Sequence, residues 1–323
     1  MNKPFRFSVT AYEPGSGREW TETARAAEDL GYSTLFTADH YLGPGPGTEA
    51  GGRSPVGVAP LTACMAAAQV TTTLRVGCRV FCVDYHQPVV LAKELATLDF
   101  LSDGRLEVGL GAGWLAAEYE GIGIQMDSAG VRIERLGEVA ELLRAFWSGE
   151  QLDLVGKHVR AVGFSGCPLP VQRPMPPLLL GGGSPKVLRL AGEVGDIVSL
   201  NFSNRGGKIG PESIATSSEA ATAEKIDWVR QGAGDRFDEI ELEMGAYFVD
   251  ASEDHQSTAR ALADRFGVPV QDIVDNPHAL LGSQQAIRER ILELRETFGV
   301  SYINVPHRAM LDLAPVISSL AGS

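Results

Sequence analysis

The sequence predicts an α/β protein, and specifically a (β/α)₈ TIM barrel with insertion loops at its carboxyl-terminal face. Short runs rich in Val, Ile, Leu and Phe alternate with amphipathic helical stretches along the whole chain, which is typical of βα units around a parallel sheet. Eight such units within 323 residues are the number that closes a barrel. A doubly wound open sheet is the alternative, but no linker or change in composition divides the chain, so we expect a single domain over residues 1–323.

Each predicted strand is a short apolar run that ends in polar or turn-forming residues. The strands, in chain order, are residues 5–11, 33–38, 75–81, 105–111, 177–182, 196–201, 241–249 and 301–305. Helices are predicted between them where apolar residues recur at steps of three and four, as Leu91, Leu95 and Leu98 do. The helices are residues 19–31, 88–101, 131–147, 185–194, 219–229, 252–266, 284–298 and 311–320.

Three connections, rich in Gly, Pro or Ser, are longer than a barrel requires: residues 43–57, 148–175 and 202–218. The first holds six glycines and three prolines among its fifteen residues, so we expect no regular helix there. Because the loops that follow barrel strands build the active site, the first and third connections are candidate walls or lids of a substrate pocket. The alternative is that these connections are surface loops that take no part in a binding site.

The charge balance restricts the classes of partner. Acidic side chains outnumber basic ones by 41 to 28, for a formal net charge of −13, which repels phosphate backbones and anionic lipid. No run approaches the roughly 18 apolar residues of a membrane span, and the amino-terminal residues lack the apolar core of a signal peptide. The four cysteines have no spacing suited to zinc. We therefore expect a cytoplasmic protein that acts on a small molecule, with no nucleic acid, membrane or metal partner. We also expect a homodimer.

Polar residues gather where the predicted strands end. Glu13 follows the first strand, Asp39 and His40 follow the second, and Asn201 ends the sixth. In a barrel these positions lie on the functional face. A carboxylate beside a histidine, whose ordinary pKa is near neutrality, is a candidate for proton transfer. A pair that only makes loop hydrogen bonds is the alternative.

Glycine clusters follow the fourth and fifth strands. In the run GLGAGW, glycine stands at alternate positions, which lets a flat or bulky group approach the backbone. The run GGGSP leads into a predicted helix, where free backbone amides would hold an anion such as phosphate. A tight turn is the alternative for GGGSP. Dinucleotide, Walker, zinc-protease and nucleophile-elbow motifs are all missing from the sequence.

Several separated motifs together resemble one known family. They lie in RVGCRVFCVDYHQPVVLAKELATLDFLSDGRLEVGLGAGWLAAEYEGIG and in PVQRPMPPLLLGGGSPKVLRLAGEVGDIVSLN. With these strings the sequence resembles the luciferase-like monooxygenase superfamily, and specifically its coenzyme F420-dependent oxidoreductases of actinobacterial type. The resemblance runs over nearly the whole chain and implies a TIM barrel that lays a flavin or deazaflavin across its carboxyl face.

The resemblance also assigns roles to individual residues. It places His40 for proton transfer near the reactive ring, and it matches Arg79 and Val80 to a cis peptide bond, not involving proline, that presses on that ring. Trp114 stands where members that oxidise sugar phosphates carry Glu, so we do not expect that activity. The residues assigned to cofactor binding are Asp39, Arg79, Val80, Gly111, Ala112, Gly113, Gly181, Gly182, Gly183 and Ser184. Those assigned to the substrate pocket are Glu13, Trp114 and Asn201.

The function that this predicts is an F420-dependent oxidoreductase, which transfers a hydride between the deazaflavin and a small organic substrate. In such an enzyme the cofactor supplies the chemistry and the protein supplies orientation. Deazaflavin has carbon in place of the flavin N5, which favours hydride transfer over oxygen activation. The alternatives are an FMN-dependent monooxygenase of the same superfamily, with FMN as cofactor, and a non-catalytic cofactor-binding or partner subunit.

Overall fold

The computed structural model describes residues 3–50, 54–203 and 210–323. Within these ranges the chain forms twelve strands: β1 (Arg6–Thr10), β2 (Thr34–Thr37), β3 (Arg75–Cys82), β4 (Leu106–Gly111), β5 (Gln151–Val155), β6 (Arg160–Ser165), β7 (Leu178–Gly182), β8 (Ile197–Leu200), β9 (Glu241–Gly245), β10 (Phe248–Asp250), β11 (Ala279–Leu281) and β12 (Val300–Pro306). Eight of the described strands close a parallel barrel in the order β1-β12-β9-β8-β7-β4-β3-β2, in which β1 pairs with both β2 and β12. The predicted TIM barrel is confirmed.

Helices cover the outside of the barrel. In the described residues they are α1 (Gly17–Asp29), α2 (Pro46–Ala50), α3 (Pro60–Ala68), α4 (Pro88–Leu101), α5 (Ala116–Ile122), α6 (Ala129–Ser148), α7 (Pro185–Val194), α8 (Pro211–Ala215), α9 (Glu219–Ala233), α10 (His255–Phe266), α11 (Val270–Val274), α12 (Gln284–Phe298) and α13 (Ala314–Leu320). All eight predicted helices are present, and α4, α7 and α12 have the predicted bounds. None of the described helices is long and apolar enough to cross a membrane.

Two long segments differ from the prediction. The connection 148–175 contains an antiparallel hairpin, β5 with β6. Its strands bury Leu152 and Ala161 between residues that are exposed or half-buried, which is too weak an alternation to predict a strand. The predicted strand 241–249 is in fact two strands, since β9 leaves the barrel at Gly245 and β10 pairs in parallel with β11 outside it. The boundary was not visible because no charged residue stands between Met244 and Val249 to mark it, and Phe248 joins a second hydrophobic cluster.

Short helices also occupy positions where no helix was predicted. The apolar run that begins at Pro60 forms α3, which buries Ala63, Cys64 and Ala67. Helix α2 lies in the connection 43–57, where no regular helix was expected. It can form because Pro46 is its first residue, and proline is well tolerated in a first helical turn. Residues 51–53 of that connection, and residues 204–209 of the connection 202–218, lie outside the described residues.

Buried polar side chains fill the amino-terminal end of the barrel. Arg6 forms ion pairs with Glu107 and with Glu241, the latter at 2.7 Å, and the hydroxyl of Tyr302 donates to Glu107 Oε2 at 3.1 Å. Glu107 is fully buried, and its partners satisfy the charge that burial would otherwise make costly. Because this end is packed, the space available to a ligand lies at the carboxyl end.

One carboxylate ties α1 to the turn before β3. Glu28 accepts the backbone N–H groups of Thr72, Thr73 and Leu74 at 2.8, 2.5 and 2.9 Å. Partial burial acts to raise the pKa of Glu28, but the hydrogen bonds from Thr73, Leu74 and Thr72 outweigh it and lower the pKa to about 2. We expect Glu28→Gln to lower the free energy of unfolding by about 1 kcal/mol at pH 7. This is less than a buried charged hydrogen bond contributes, because the site is largely exposed to solvent.

The sign of the pH dependence follows from the lowered pKa. The folded-state pKa lies below the unfolded value of about 4.5, so the contribution is complete above that pH and is lost as the pH falls toward 2. Urea unfolding should therefore show a smaller difference between wild type and Glu28→Gln at pH 3 than at pH 7. Glu22→Gln, on the exposed face of the same helix, is the control. Equal stability of wild type and Glu28→Gln at pH 7 would contradict this role.

Candidate active site

A cavity of about 1310 Å³ opens at the carboxyl ends of the barrel strands. It brings together all but one of the site residues predicted from the sequence: Asp39, His40, Arg79, Val80, Gly111, Ala112, Gly113, Trp114, Gly181, Gly182, Gly183, Ser184 and Asn201. Glu13 is the exception. Its side chain is exposed and does not line the cavity, because β1 ends three residues earlier and Thr10 and Tyr12 occupy the wall there.

The two candidate insertions differ in their relation to the cavity. None of the described residues of 43–57 lines it, and α2 packs beside α5 instead. The expectation that this connection forms a pocket wall is therefore wrong for its described part. From the connection 202–218, Phe202, Ser203, Ala215 and Thr216 do line the cavity. The third insertion contributes to the wall as predicted.

His40 is held by a buried carboxylate. Its Nδ1 lies 2.5 Å from Glu118 Oε2, and the imidazole ring meets the ring of Trp114 edge-on at 6.2 Å between centroids. Glu118 projects from the first turn of α5 and is fully buried. Because a carboxylate accepts only, Nδ1 carries the proton of this hydrogen bond, and the orientation of the ring is fixed.

The surroundings of Glu118 keep it ionised. Oε1 accepts the backbone N–H groups of Tyr41 and Leu42 at 2.5 and 3.3 Å, and Oε2 also accepts the Tyr85 hydroxyl at 3.2 Å. Burial acts to raise the pKa of Glu118, but the hydrogen bond and charge of His40 and the two backbone donors outweigh burial and lower the pKa. At neutral pH a buried negative charge therefore stands behind His40.

The two carboxylate oxygens of Asp39 differ in their hydrogen bonding. Oδ2 accepts the backbone N–H of Cys82 at 2.9 Å and lies 2.7 Å from His86 Nε2. Oδ1 is buried and has no hydrogen-bond partner among the described residues. Buried polar atoms are rarely left without a partner in native proteins. Since Asp39 lines the cavity, Oδ1 is an acceptor suited to an N–H group of a ligand.

The peptide bond between Arg79 and Val80 is cis, as the resemblance implies. The Arg79 guanidinium points to the inner wall of the barrel: Nε and Nη2 each lie 3.1 Å from an oxygen of the buried Glu243, and Nη2 donates to Ser199 and Asn201. The guanidinium therefore makes its hydrogen bonds to side chains inside the barrel. The side chain that packs beside β4 is that of Val80.

The glycines of GLGAGW make room for the chain's own atoms. A Cβ placed on Gly109 or Gly111 would collide with the side chain of Val80, and one on Gly113 would collide with the hydroxyl of Tyr119. Gly113 also has φ +71°, a backbone conformation that favours glycine. The bulky group that approaches this backbone is thus Val80.

The three glycines after β7 also pack closely against their neighbours. A Cβ on Gly181 would meet the carbonyl of Ser199, one on Gly182 the side chain of Val187, and one on Gly183 the backbone that follows β8. None of the three has a positive φ, so their close contacts, and not a left-handed backbone, are what require glycine. Substitution there would disturb the fold as well as any ligand, which makes other residues better probes of binding.

Donors for an anion converge beside these glycines. Ser184 precedes α7, and its hydroxyl makes no capping bond with a described residue. The first turns of α6 and α7 meet where Lys186 donates to the Gly130 carbonyl at 3.1 Å. Arg132, on α6, is 8% exposed, and its Nε is buried without a partner among the described residues. Its Nη1 donates to the Asp127 carbonyl at 3.2 Å, so the Nε–H is the donor left over. A helix amino terminus beside such a donor is a site suited to phosphate.

Sequence reasoning missed Glu118 and Arg132, which the structure adds to the site. Both are charged residues in the first turn of a helix, a place where charged side chains are normally solvent-exposed. The signal available for Glu118 was its position in the apolar turn LAAEYEGI, between Leu115 and Tyr119, which are also buried. In the described part of the chain, no group of three or more His, Cys, Asp or Glu residues is arranged to hold a metal ion.

Comparison with known proteins gives the family. A family model for luciferase-like monooxygenases matches residues 1–221. An F420-dependent glucose-6-phosphate dehydrogenase of Nocardia farcinica (strain IFM 10152) is 31% identical over 197 residues, which cover 59% of this chain and 54% of that protein. The chain thus matches about half the length of this curated relative.

Solved structures show the same fold over the whole chain. A coenzyme F420-dependent tetrahydromethanopterin reductase from Methanopyrus kandleri is 17% identical, covers 98% of each chain and has a TM-score of 0.76. An F420-dependent secondary alcohol dehydrogenase in complex with an F420-acetone adduct is 20% identical, covers 98% of this chain and 99% of that one, and has a TM-score of 0.75. With the family match over residues 1–221, the chain belongs to the luciferase-like monooxygenase family.

Proposed function

We propose that this chain is an F420-dependent oxidoreductase that transfers a hydride between the deazaflavin and a small organic substrate, while His40 exchanges the accompanying proton. The observation that supports this most directly is His40 itself, oriented by the buried Glu118 at the wall of the barrel cavity. The names of the similar proteins support the choice of cofactor, since the curated relative and both solved structures are F420-dependent enzymes.

The cavity fits such a cofactor. Asp39 Oδ1 lacks a donor, which the N–H of a deazaflavin ring would supply, and Arg132 Nε lacks an acceptor, which a phosphate would supply. Asp39, the Arg79–Val80 peptide and the segment Gly111–Gly113 would hold the ring. Ser184, the three glycines before it and Arg132 would hold the phosphate. Once bound, F420 supplies a carbon centre that donates or accepts a hydride.

The chain's own residues then manage one proton. Glu118 receives the Nδ1–H of His40, which makes Nε2 the nitrogen that gives or takes the proton of the substrate. The negative charge of Glu118 stabilises the imidazolium form when Nε2 is protonated. Trp114 packs against the edge of the imidazole and limits its rotation. A tuned histidine beside a cofactor pocket is the arrangement expected of a general acid and base.

Binding of the two candidate cofactors distinguishes the proposal from its alternatives. We expect calorimetry to give a dissociation constant for F420 of about 1 µM or lower, and for FMN at least about tenfold higher, a difference of about 1.4 kcal/mol. The reason is charge: F420 carries carboxylates in addition to its phosphate, and the cavity wall has a surplus of cations. Micromolar binding of FMN with none of F420 would favour the FMN-dependent monooxygenase instead.

A substitution locates the cofactor within the cavity. Arg132→Gln should weaken F420 binding by about tenfold or more, because a charged hydrogen bond is worth about 1.5–3 kcal/mol. Arg160→Gln, in the exposed hairpin strand β6, is the matched control and should change nothing. F420 binding without turnover of any substrate would support the non-catalytic alternative. The cytoplasmic location and the homodimer stay predictions, and sedimentation velocity would test the second.

A further inference from the structure

The two polar residues that follow β2 each have a partner behind the cavity wall. His40 is held by Glu118, and Asp39 is held by His86. Asp39 and His40 both line the cavity, whereas neither Glu118 nor His86 does. The wall therefore has two functional groups side by side, each supported from outside the cavity. Of the two supporting residues, His86 has no task in the proposed function.

Asp39 is a buried carboxylate with one basic neighbour. It is 2% exposed, and His86, with Nε2 2.7 Å from Oδ2, is the one basic side chain within ion-pair distance of it among the described residues. The backbone N–H of Cys82 donates to the same oxygen at 2.9 Å. Burial, and next the charge of Asp39, raise the pKa of Tyr41, so this neighbouring phenol stays neutral. Because burying a carboxylate is costly unless it is hydrogen-bonded or paired, His86 is a main source of its compensation.

Both donors to Asp39 Oδ2 come from one short segment of the chain. Cys82 ends β3, the 3₁₀ turn Val83–Tyr85 follows it, and His86 is the next residue. The turn brings the imidazole of His86 back toward the end of β3, where it meets the ring of Phe81 edge-on at 5.7 Å between centroids. Because Phe81 is fully buried, the imidazole is fixed by packing as well as by its hydrogen bond.

The hydrogen bond between His86 and Asp39 has one direction. An ionised carboxylate only accepts, so Nε2 of His86 carries the proton. Oδ2 of Asp39 then has two donors, whereas Oδ1 has no partner among the described residues. Rotation of the carboxylate away from this position would break both bonds to Oδ2. The two donors therefore fix the carboxylate and leave Oδ1 as the oxygen available to a ligand.

We propose that His86 is a positioning residue for the cofactor: by donating to Asp39 Oδ2, it keeps Oδ1 in place to accept an N–H of the deazaflavin ring. The inference rests on the proposed function, in which Asp39 binds that ring, and adds a residue that lies outside the cavity. The two neighbouring pairs then have different tasks. Glu118 and His40 serve proton exchange, and His86 and Asp39 serve the affinity for F420.

Three substitutions separate the hydrogen bond of His86 from its packing. His86→Gln keeps an N–H donor at a similar distance from the backbone but loses the ring, His86→Phe keeps a ring against Phe81 but cannot donate, and His86→Leu keeps neither. The dissociation constant for F420 is measured by calorimetry at pH 7. We expect the Phe and Leu variants to bind F420 about tenfold more weakly or worse, because a hydrogen bond to a charged group is lost. His86→Gln should stay within about threefold of wild type.

A second background shows whether His86 acts through Asp39. In an Asp39→Ala protein, His86→Phe should change F420 affinity by less than about threefold, since no carboxylate is left to position. His255→Phe, at a histidine outside the cavity, should match wild type. Equal losses in His86→Gln and His86→Phe, or the full loss in the Asp39→Ala background, would assign His86 to packing and overturn the inference. Wild-type affinity in His86→Phe would overturn this inference alone, whereas a wild type that does not bind F420 would overturn the proposed function as well.

Discussion

His40→Ala is expected to reduce turnover by about 10²- to 10⁴-fold, the usual contribution of general acid or base catalysis, while the affinity for F420 stays within about threefold of wild type. The reason for the separation is geometric. Asp39, the Arg79–Val80 peptide and Arg132 are the groups assigned to the cofactor, whereas His40 contacts Glu118 and Trp114 on its own side of the cavity. Turnover is followed by the absorbance of F420 with the best substrate of a screen against wild type.

Two further variants complete this experiment. His255→Ala removes an imidazole outside the cavity and should leave the rate unchanged. Asp39→Ala should show the opposite pattern to His40→Ala, with weaker F420 binding, because it removes the acceptor Oδ1. An unaltered rate in His40→Ala would remove His40 from the mechanism, and an unaltered dissociation constant in Asp39→Ala would remove Asp39 from the cofactor site.

The barrel could be predicted from the sequence because its signals are local. Helix α4 shows the point: Pro88 suits a first turn, Gln87 accepts the N–H of Val90, and Leu91, Leu95 and Leu98 recur on one buried face. Each feature lies within a few residues of the others. The hairpin β5–β6 gave no such signal, since few of its side chains are buried and its pairing joins residues from two separate segments.

The candidate site was predictable in part for the same reason. Residues at strand ends are found by locating the strands, and this brought His40, Asp39 and Gly181 to one cavity. The partner of His40 was not predictable, because Glu118 lies 78 residues further along the chain. Nor could the sequence distinguish whether a ligand or Val80 fills the space beside Gly111. Contacts of this kind depend on the packing of separate βα units.

Glu118 acts through His40, and its removal should therefore have the second largest effect. We expect Glu118→Gln to lower turnover by about 10- to 100-fold, the usual loss when a group that orients a functional histidine is removed. Glutamine keeps the shape but not the charge, so the imidazolium loses its stabilising partner. KM should change little, because Glu118 is buried behind His40 and does not line the cavity. Glu120→Gln, exposed on the same helix α5, is the control.

The pH dependence of stability gives a second readout for Glu118. Because its folded-state pKa is lowered from about 4.5, the carboxylate stabilises the fold above that pH, and the contribution is lost as the pH falls further. The difference in unfolding free energy between wild type and Glu118→Gln should therefore shrink on acidification from pH 6 to pH 3. A difference that did not depend on pH would show that the charge of Glu118 plays no part.

A double-mutant cycle separates positioning from a general structural effect. If Glu118 works by orienting His40, then Glu118→Gln should cost about 10- to 100-fold in the wild type and almost nothing in a His40→Ala background, since there is no imidazole left to orient. If Glu118 only supports the segment Tyr41–Leu42 through its backbone hydrogen bonds, the same loss should appear in both backgrounds. Additive losses would thus assign Glu118 to the fold, and strongly non-additive losses would assign it to the histidine.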